Sequence, residues 1–181
     1  MKSSLLALTL SIAAGVTSMA PLANAAGDNF TFKMVRASGA TCLPNDAHAR
    51  VTIGTAGQNQ NMHIELVDLI PNVGYTVFVT QHSDRPFGLS WYQGEITTDS
   101  SGRGVGDFTG IFSNETFALG DSPIQMAHLG IWFADPGDAA NAGCSGITTP
   151  FDGDHVAGIL VLSTSNFRDD HGPLLNVGEV E

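Results

Sequence analysis

Basic residues are scarce in this chain of 181 residues. It carries 7 lysines and arginines against 18 aspartates and glutamates, for a formal net charge of −11. Lys33 is the only lysine beyond position 25. A surface of this charge repels the phosphates of nucleic acid and of anionic lipid, so we expect no nucleic-acid partner. The shortage of lysine also disfavours surface helices, whereas the 21 glycines favour a β protein punctuated by turns.

Long hydrophobic runs are missing as well, and the one apolar stretch near the start is short. It spans 5–14, follows a basic residue at Lys2 and precedes the small residues Ala23-Asn24-Ala25. This order is typical of a secretory signal peptide, and the stretch is too short to span a bilayer. We therefore expect 1–25 to be a signal peptide cleaved near Ala25.

The rest of the chain has no second run of about 18 apolar residues, so we expect no membrane insertion. The protein is then secreted or periplasmic. Its length suits one domain, which we place at 26–166. The residues over 167–181 are polar and acidic, and we expect them to form a loosely attached C-terminal tail.

Cysteine occurs only at positions 42 and 144. An even pair in an oxidising compartment favours a disulfide. Neither residue belongs to a Cys-x-x-Cys motif or has the spacing of a metal-ligand pair, so a structural bond between Cys42 and Cys144 is expected over a redox pair or thiolate ligands.

Apolar and polar residues alternate along much of the remaining chain, which is the pattern of half-buried strands. Turn residues separate the runs at nearly regular intervals, and short connections favour antiparallel pairing. The chain therefore predicts an all-β, antiparallel sandwich of about eight strands. Within it, 156–162 is apolar at both parities and predicts a central strand. The runs are 30–34, 50–53, 62–66, 75–80, 90–97, 104–112, 127–134 and 155–163.

One short helix is predicted in a long loop immediately before Cys144. Asp135 suits the capping position, Pro136 the first helical position and Gly143 the end.

Two short segments resemble parts of known sandwich families. Leu69-Ile70-Pro71-Asn72-Val73-Gly74-Tyr75 resembles the tyrosine corner of immunoglobulin-like and fibronectin-type sandwiches, which implies a hydrogen bond from the Tyr75 hydroxyl back to the loop. The segment 94–102 is similar to a strand and turn of copper-zinc superoxide dismutase-like sandwiches. The positions of that family's His-x-His metal pair hold Val77 and Val79, so the resemblance carries no metal site across.

A longer resemblance covers 129–136, 143–144 and 149–159, which read LGIWFADP, GC and TPFDGDHVAGI, together with 86–94. These segments resemble secreted bacterial proteins of uncharacterised function. The resemblance implies one intact exported domain and brings no catalytic residue with it.

The 6 histidines are the first candidates for metal ligands. None lies two to four positions from another, so a site would have to be assembled from distant strands. His63 and His128 fall on polar faces, where solvated side chains are expected. Acidic pairs are better candidates, because carboxylates suit calcium. The candidate metal ligands are Asp135, Asp138, Asp152, Asp154 and His155, and the alternative is helix capping and turn chemistry.

Aromatic residues provide candidate ligand contacts at Trp91, Tyr92 and Trp132. Trp132 shares parity with His128 and is opposite to the apolar residues of its strand, so we expect it to face outward or to lie under a loop. Exposed rings can stack on sugars or anchor a protein partner. The alternative is that loops cover the rings as a satellite cluster.

No motif for nucleophilic catalysis or phosphate binding stands out. The expected function is that of an exported, non-enzymatic binding or structural module, which uses an aromatic and acidic loop face to bind a glycan or a cell-surface protein. The alternative is a metal-binding protein or metal-dependent enzyme that uses dispersed histidines and aspartates, in which at least three side chains converge on one ion.

Overall fold

The computed structural model describes residues 29–56, 59–112, 116–119, 122–144 and 156–176. In these residues the chain forms ten strands, one α-helix and one 3-10 helix. In order they are β1 Phe30–Arg36, β2 His48–Ala56, β3 Asn59–Val67, β4 Gly74–Thr80, β5 Ser90–Thr97, β6 Gly104–Gly110, β7 Thr116–Leu119, β8 Ser122–Gln125, β9 His128–Phe133, α1 Pro136–Asn141, β10 Leu160–Ser163 and the 3-10 helix Pro173–Asn176.

Eight of these strands form one antiparallel sheet in the order β5-β4-β9-β10-β1-β2-β3-β6. Its two end strands, β5 and β6, approach each other through side chains. The Ile96 side chain packs so closely on β6 that a Cβ at Gly104 or Gly106 would come within 2.9 or 2.6 Å of it. The sheet is thereby curved into a barrel-like sandwich, which confirms the predicted fold class.

Each of the eight predicted runs contains a strand of this sheet, although in the run 155–163 the strand begins only at Leu160 and position 155 lies outside the described residues. The sequence pattern missed β7 and β8, which pair with each other as a separate two-stranded sheet. Each is only four residues long, too short to show alternation, and β8 contains Pro123, which is characteristic of a turn.

The core lies between the two halves of the curved sheet, and alternate residues of each strand point into it. On β10, which lies between β9 and β1, Val161, Leu162 and Ser163 are all fully buried. The predicted central strand is therefore confirmed for 160–162, whereas 156–159 precede the strand. Residues such as Met34, Val51, Ile64, Val77 and Ile131 fill the interior.

The Tyr75 side chain ties the loop before β4 to the core. Its hydroxyl accepts a hydrogen bond from the Ile70 backbone N–H at 3.0 Å, as the tyrosine-corner resemblance implies. The ring lies 5.1 Å from that of Phe133. Burial of the hydroxyl is the main cause that raises the pKa of Tyr75 above its usual value, so the group stays protonated.

The predicted helix and disulfide are both present. The Asp135 carboxylate accepts a hydrogen bond from the Gly137 N–H at 2.6 Å, Pro136 begins α1, and Gly143 takes a φ of 80° just after its end. Cys144 follows and is bonded to Cys42, with the two Cα atoms 5.1 Å apart.

The segment after Asn166 is packed down rather than loose as far as the 3-10 helix. Leu174 is fully buried, and its N–H donates to the Ala127 carbonyl at 3.1 Å. The expectation of a loosely attached tail is wrong for 167–176, because the acidic composition concealed the apolar residues that anchor the segment. In the part of the chain that the structure describes, no helix is long and apolar enough to cross a bilayer.

Candidate functional site

Two predicted contact residues are exposed on β5. Trp91 is 51% exposed and Tyr92 39%. As neighbours on a strand they point to opposite faces of the sheet, with Trp91 opposite Val79 and Tyr92 opposite Phe78. The rings therefore flank β5 on its two faces and do not form one flat platform.

Local geometry explains why both rings reach the surface. The register between β4 and β5 shifts beyond Tyr92, which leaves an extra residue on β5 before Gly94. Gly94 has a φ of 148°, and a Cβ there would meet the Phe108 ring at 2.7 Å. Only glycine suits this position, which bends the strand as it leaves the aromatic pair.

Trp132 is buried, at 1% exposure, and is not a surface contact. It does lie on the outer face of β9, as its parity predicts. There it packs edge to face on Phe78 and on Phe87, each at 5.2 Å between ring centroids, and Ala157 belongs to the same cluster. The covered satellite cluster is therefore the correct alternative for this residue.

The rings on this face form a continuous layer. Phe78 bridges Trp132 to Tyr92, whose ring lies 5.9 Å away, and the Arg85 guanidinium lies 5.7 Å from the Phe87 ring at the other end. Tyr92 is thus the exposed end of a buried aromatic layer. Its neighbours hold its ring in place, which lowers the entropic cost of using it as a contact.

Exposed large apolar side chains concentrate on the two end strands of the sheet. Ile111, which follows β6, is 60% exposed and lies at the same end of the strand pair as Trp91. We name Trp91, Tyr92 and Ile111 the β5 edge patch. Exposed apolar residues on strands at a sheet end are typical of interaction sites.

The acidic loop candidates separate into two groups. Asp135 caps α1, and Asp138 lies in its first turn, so helix capping accounts for this pair. Asp152, Asp154 and His155 lie outside the described residues. Among the residues that are described, no three His, Cys, Asp or Glu side chains are placed to hold a metal ion. Val77 and Val79, at the positions of the superoxide dismutase-like metal pair, are buried in the core.

His128 is buried, and the expectation that it is solvated is wrong. Its Nε2–H donates to the Asp169 carbonyl at 3.1 Å, and its Nδ1 accepts from the Thr164 hydroxyl at 2.9 Å. Burial is the main cause that lowers the pKa of His128 below its usual value. The polar face of β9 is covered by the C-terminal segment. His63, by contrast, is half-buried on its polar face, 2.8 Å from Asp107.

A second cluster joins the loop after β4 to this C-terminal segment and has no sequence signal. His82 Nδ1 lies 2.7 Å from Asp169 Oδ2, and the Ser83 N–H donates to Asp169 Oδ1 at 3.1 Å. Burial pushes the pKa of Asp169 upward, but these two hydrogen bonds outweigh it and lower the pKa. The two partners are 87 residues apart in the chain, which no local spacing rule can detect.

This cluster has a structural role, since its hydrogen bonds connect the loop after β4 to the C-terminal segment. A surface pocket of about 330 Å³ lies over His82, Ser83, Asp84, Arg85, Pro86 and Asp169. The hydroxyl of Ser83 contacts Asp84 at 3.4 Å. In the described chain it makes no hydrogen bond to the His82 ring, as a nucleophile and base would require. Together with the hydrogen bond from His128 to the Asp169 carbonyl, the contact between His82 and Asp169 holds the C-terminal segment against the sheet.

Comparison with known proteins returned no relatives: the scan against protein-family models matched none, and the search of curated proteins found no match.

Proposed function

We propose that this chain is an exported binding module whose contact surface is the β5 edge patch and whose partner is a cell-surface protein. The observation that carries the proposal is the pair Trp91 and Tyr92, 51% and 39% exposed, on a strand at the end of the sheet. Tryptophan and tyrosine are the residues that most often dominate protein interfaces.

The arrangement of the rings favours a protein segment over a sugar. Gly94 and Ile96 of β5 face β6, so an extended peptide can pair only with the backbone of the Ser90–Tyr92 end of this strand. A segment added beside β5 would have Trp91 over one of its faces and Tyr92 over the other, since the two rings point to opposite faces. A single sugar ring cannot stack on both.

Two features support export. The disulfide between Cys42 and Cys144 is of the kind that persists in an oxidising compartment. The signal peptide proposed for 1–25 supplies the route there. The module would act in the periplasm or outside the cell.

The test is photo-crosslinking on intact cells. A photoreactive phenylalanine derivative replaces Trp91, and the matched control carries it at Val105, which is 60% exposed on the other end strand. We expect a covalent adduct with one surface protein from position 91 and none from position 105. With that protein purified, Trp91→Ala and Tyr92→Ala should each weaken binding by roughly tenfold or more, and Val105→Ala by less than about twofold.

Two outcomes would overturn the proposal. One is equal adducts from both positions, which would mean that contact with the cell surface is unspecific. The other is a panel of surface glycans that binds the protein in a Trp91-dependent way without any protein adduct, which would identify a sugar as the partner.

A further inference from the structure

Two of the few cations of this acidic chain lie side by side on the sheet. In the register of β1 and β2, Lys33 is directly opposite Arg50, and both side chains are exposed. Residues opposite each other in an antiparallel pair have Cβ atoms about 5 Å apart, and like charges there repel. An unfavourable pairing at this point of a chain with 18 acidic residues calls for a reason.

The surroundings form a pocket rather than a flat face. A cavity of about 340 Å³ is lined by Thr31, Phe32, Lys33, His48 and Arg50. His48 lies two residues before Arg50 on the same face of β2, and its Nδ1–H donates to the Asp46 carbonyl at 2.8 Å. That bond holds the ring in place at the side of the pocket. The Thr31 hydroxyl is paired with that of Thr52 at 3.0 Å.

No carboxylate of the described residues lies within 4.0 Å of the Lys33 ammonium or the Arg50 guanidinium. Glu65 is directly opposite Arg50 on β3, and its Oε1 lies 3.9 Å from His63 Nε2. The ion pairs of the described chain involve other residues, in which Asp107, Asp169 and Asp170 provide the carboxylates. Apart from Glu65, which lies opposite Arg50 in the register, no carboxylate of the described residues faces the two cations.

We infer that the Lys33–Arg50 pocket is a binding site for a tetrahedral oxoanion, the phosphate or sulfate group of a ligand. A guanidinium offers paired N–H donors to such a group, and an ammonium adds a mobile point charge. Bound between them, a dianion converts the like-charge repulsion into attraction to both groups. The pocket is on β1 and β2 and shares no residue with the β5 edge patch. The two binding proposals can therefore be tested independently.

The charge count also sets the preference among anions. Two cations favour a doubly charged phosphate or sulfate over a singly charged carboxylate of similar size. The phosphate could belong to a soluble ligand or to a lipid headgroup, and these two sources present the same chemistry to the pocket. They differ in whether a membrane surface accompanies it.

The experiment is a calorimetric titration of the leader-free, disulfide-bonded chain with inorganic phosphate, sulfate and acetate at constant ionic strength. Backbone NMR shifts locate the response. We expect saturable binding of phosphate and sulfate with shifts centred on 31–33 and 48–50, and roughly tenfold weaker binding of acetate. Lys33→Gln and Arg50→Gln should each weaken binding by about fivefold, and the double variant should not bind.

Arg103→Gln is the matched control, because it removes the same charge from an exposed residue in the turn between β5 and β6. It should leave affinity unchanged within about twofold. Folding is checked by thermal unfolding: relief of repulsion should leave the double variant at least as stable as the parent, and phosphate should raise Tm in the parent alone. Vesicles of phosphatidylcholine with phosphatidic acid then distinguish the sources, since binding to them identifies a lipid phosphate and its absence a soluble one.

Absence of saturable binding to the parent would overturn the inference. Equal weakening by Arg103→Gln would also overturn it, because the effect would then be one of overall charge.

Discussion

At the scale of single residues, the loop aspartates illustrate how one side chain can suit two explanations. Asp135 accepts the Gly137 N–H at 2.6 Å and so satisfies a backbone donor that the helix leaves unpaired. A carboxylate held by a cap is not free to reorganise around an ion. The neighbouring Asp138 gains only the favourable interaction with the start of a helix.

Because only Asp135 caps the helix, we expect alanine substitutions at the two aspartates to lower the free energy of unfolding by different amounts. Asp135→Ala should lower the free energy of unfolding by about 1 kcal/mol, and Asp138→Ala by roughly half of that or less. Urea unfolding with and without added calcium measures both. Stabilisation by calcium that both substitutions abolish would contradict capping and restore the metal explanation for this pair.

The two tryptophans differ in environment, and each provides the control for the other. Trp132 is fully buried in a cluster with Phe78, Phe87 and Ala157, so Trp132→Ala should cost about 3 to 5 kcal/mol of unfolding free energy. Trp91 is 51% exposed, and Trp91→Ala should cost no more than about half as much. Chemical unfolding of both variants checks this. Equal costs would mean that Trp91 supports the fold and is not available as a contact.

His128 makes stability depend on pH. Its pKa is lowered in the folded protein, mainly by burial, below the ordinary value of 6.5. As the pH falls through that value, the unfolded chain binds a proton that the folded chain does not, so stability is lost on acidification until the folded pKa is reached. The groups that face the ring electrostatically are His82, Asp84 and Asp169.

We therefore expect the free energy of unfolding to decrease as the pH falls through the ordinary value of 6.5, and His128→Gln to flatten this slope. His63→Gln, on the half-buried ring, is the comparison. Asp169 adds a further loss only below its ordinary value of 3.8, since its pKa is lowered in the fold. An unchanged slope in His128→Gln would show that other groups dominate.

At the scale of elements, the fold was largely readable from the chain because each long strand has one side in the core. Alternation then marks the strand, and glycine and proline mark its ends. Strands β7 and β8 escaped because four residues carry too little pattern. The capping residues of α1 and the tyrosine corner were readable for a related reason, since both depend on contacts between residues close in sequence.

The outer faces of the strands were not readable in the same way. Parity correctly placed Trp132 and His128 on the side of β9 away from the core, but it says nothing about what covers that side. Segments distant in the chain cover it: Phe87 packs on the Trp132 ring, and the Asp169 carbonyl accepts a hydrogen bond from the His128 ring. The same limit applies to the Lys33–Arg50 pocket, which depends on the register between two strands.

At the scale of the whole molecule, the disulfide joins two regions that are far apart in the sequence. Cys42 lies between β1 and β2, and Cys144 follows α1, with 102 positions between them. A bond that closes so large a part of the chain restricts the unfolded state more than the folded one. The chain-entropy model gives a contribution of about 4 to 5 kcal/mol for a loop of this size, which is an upper figure for most proteins.

Replacing both cysteines by alanine should therefore destabilise the folded domain by up to about 4 kcal/mol, and reduction of the parent should have the same effect. Because the restriction acts on the unfolded chain, the reduced form should expose more surface on unfolding, and its urea m value should rise. Urea unfolding of the oxidised parent, the reduced parent and the double variant gives both quantities. A fall in stability with an unchanged m value would place the contribution of the bond in the folded state, at the contact between the loop after β1 and the end of α1.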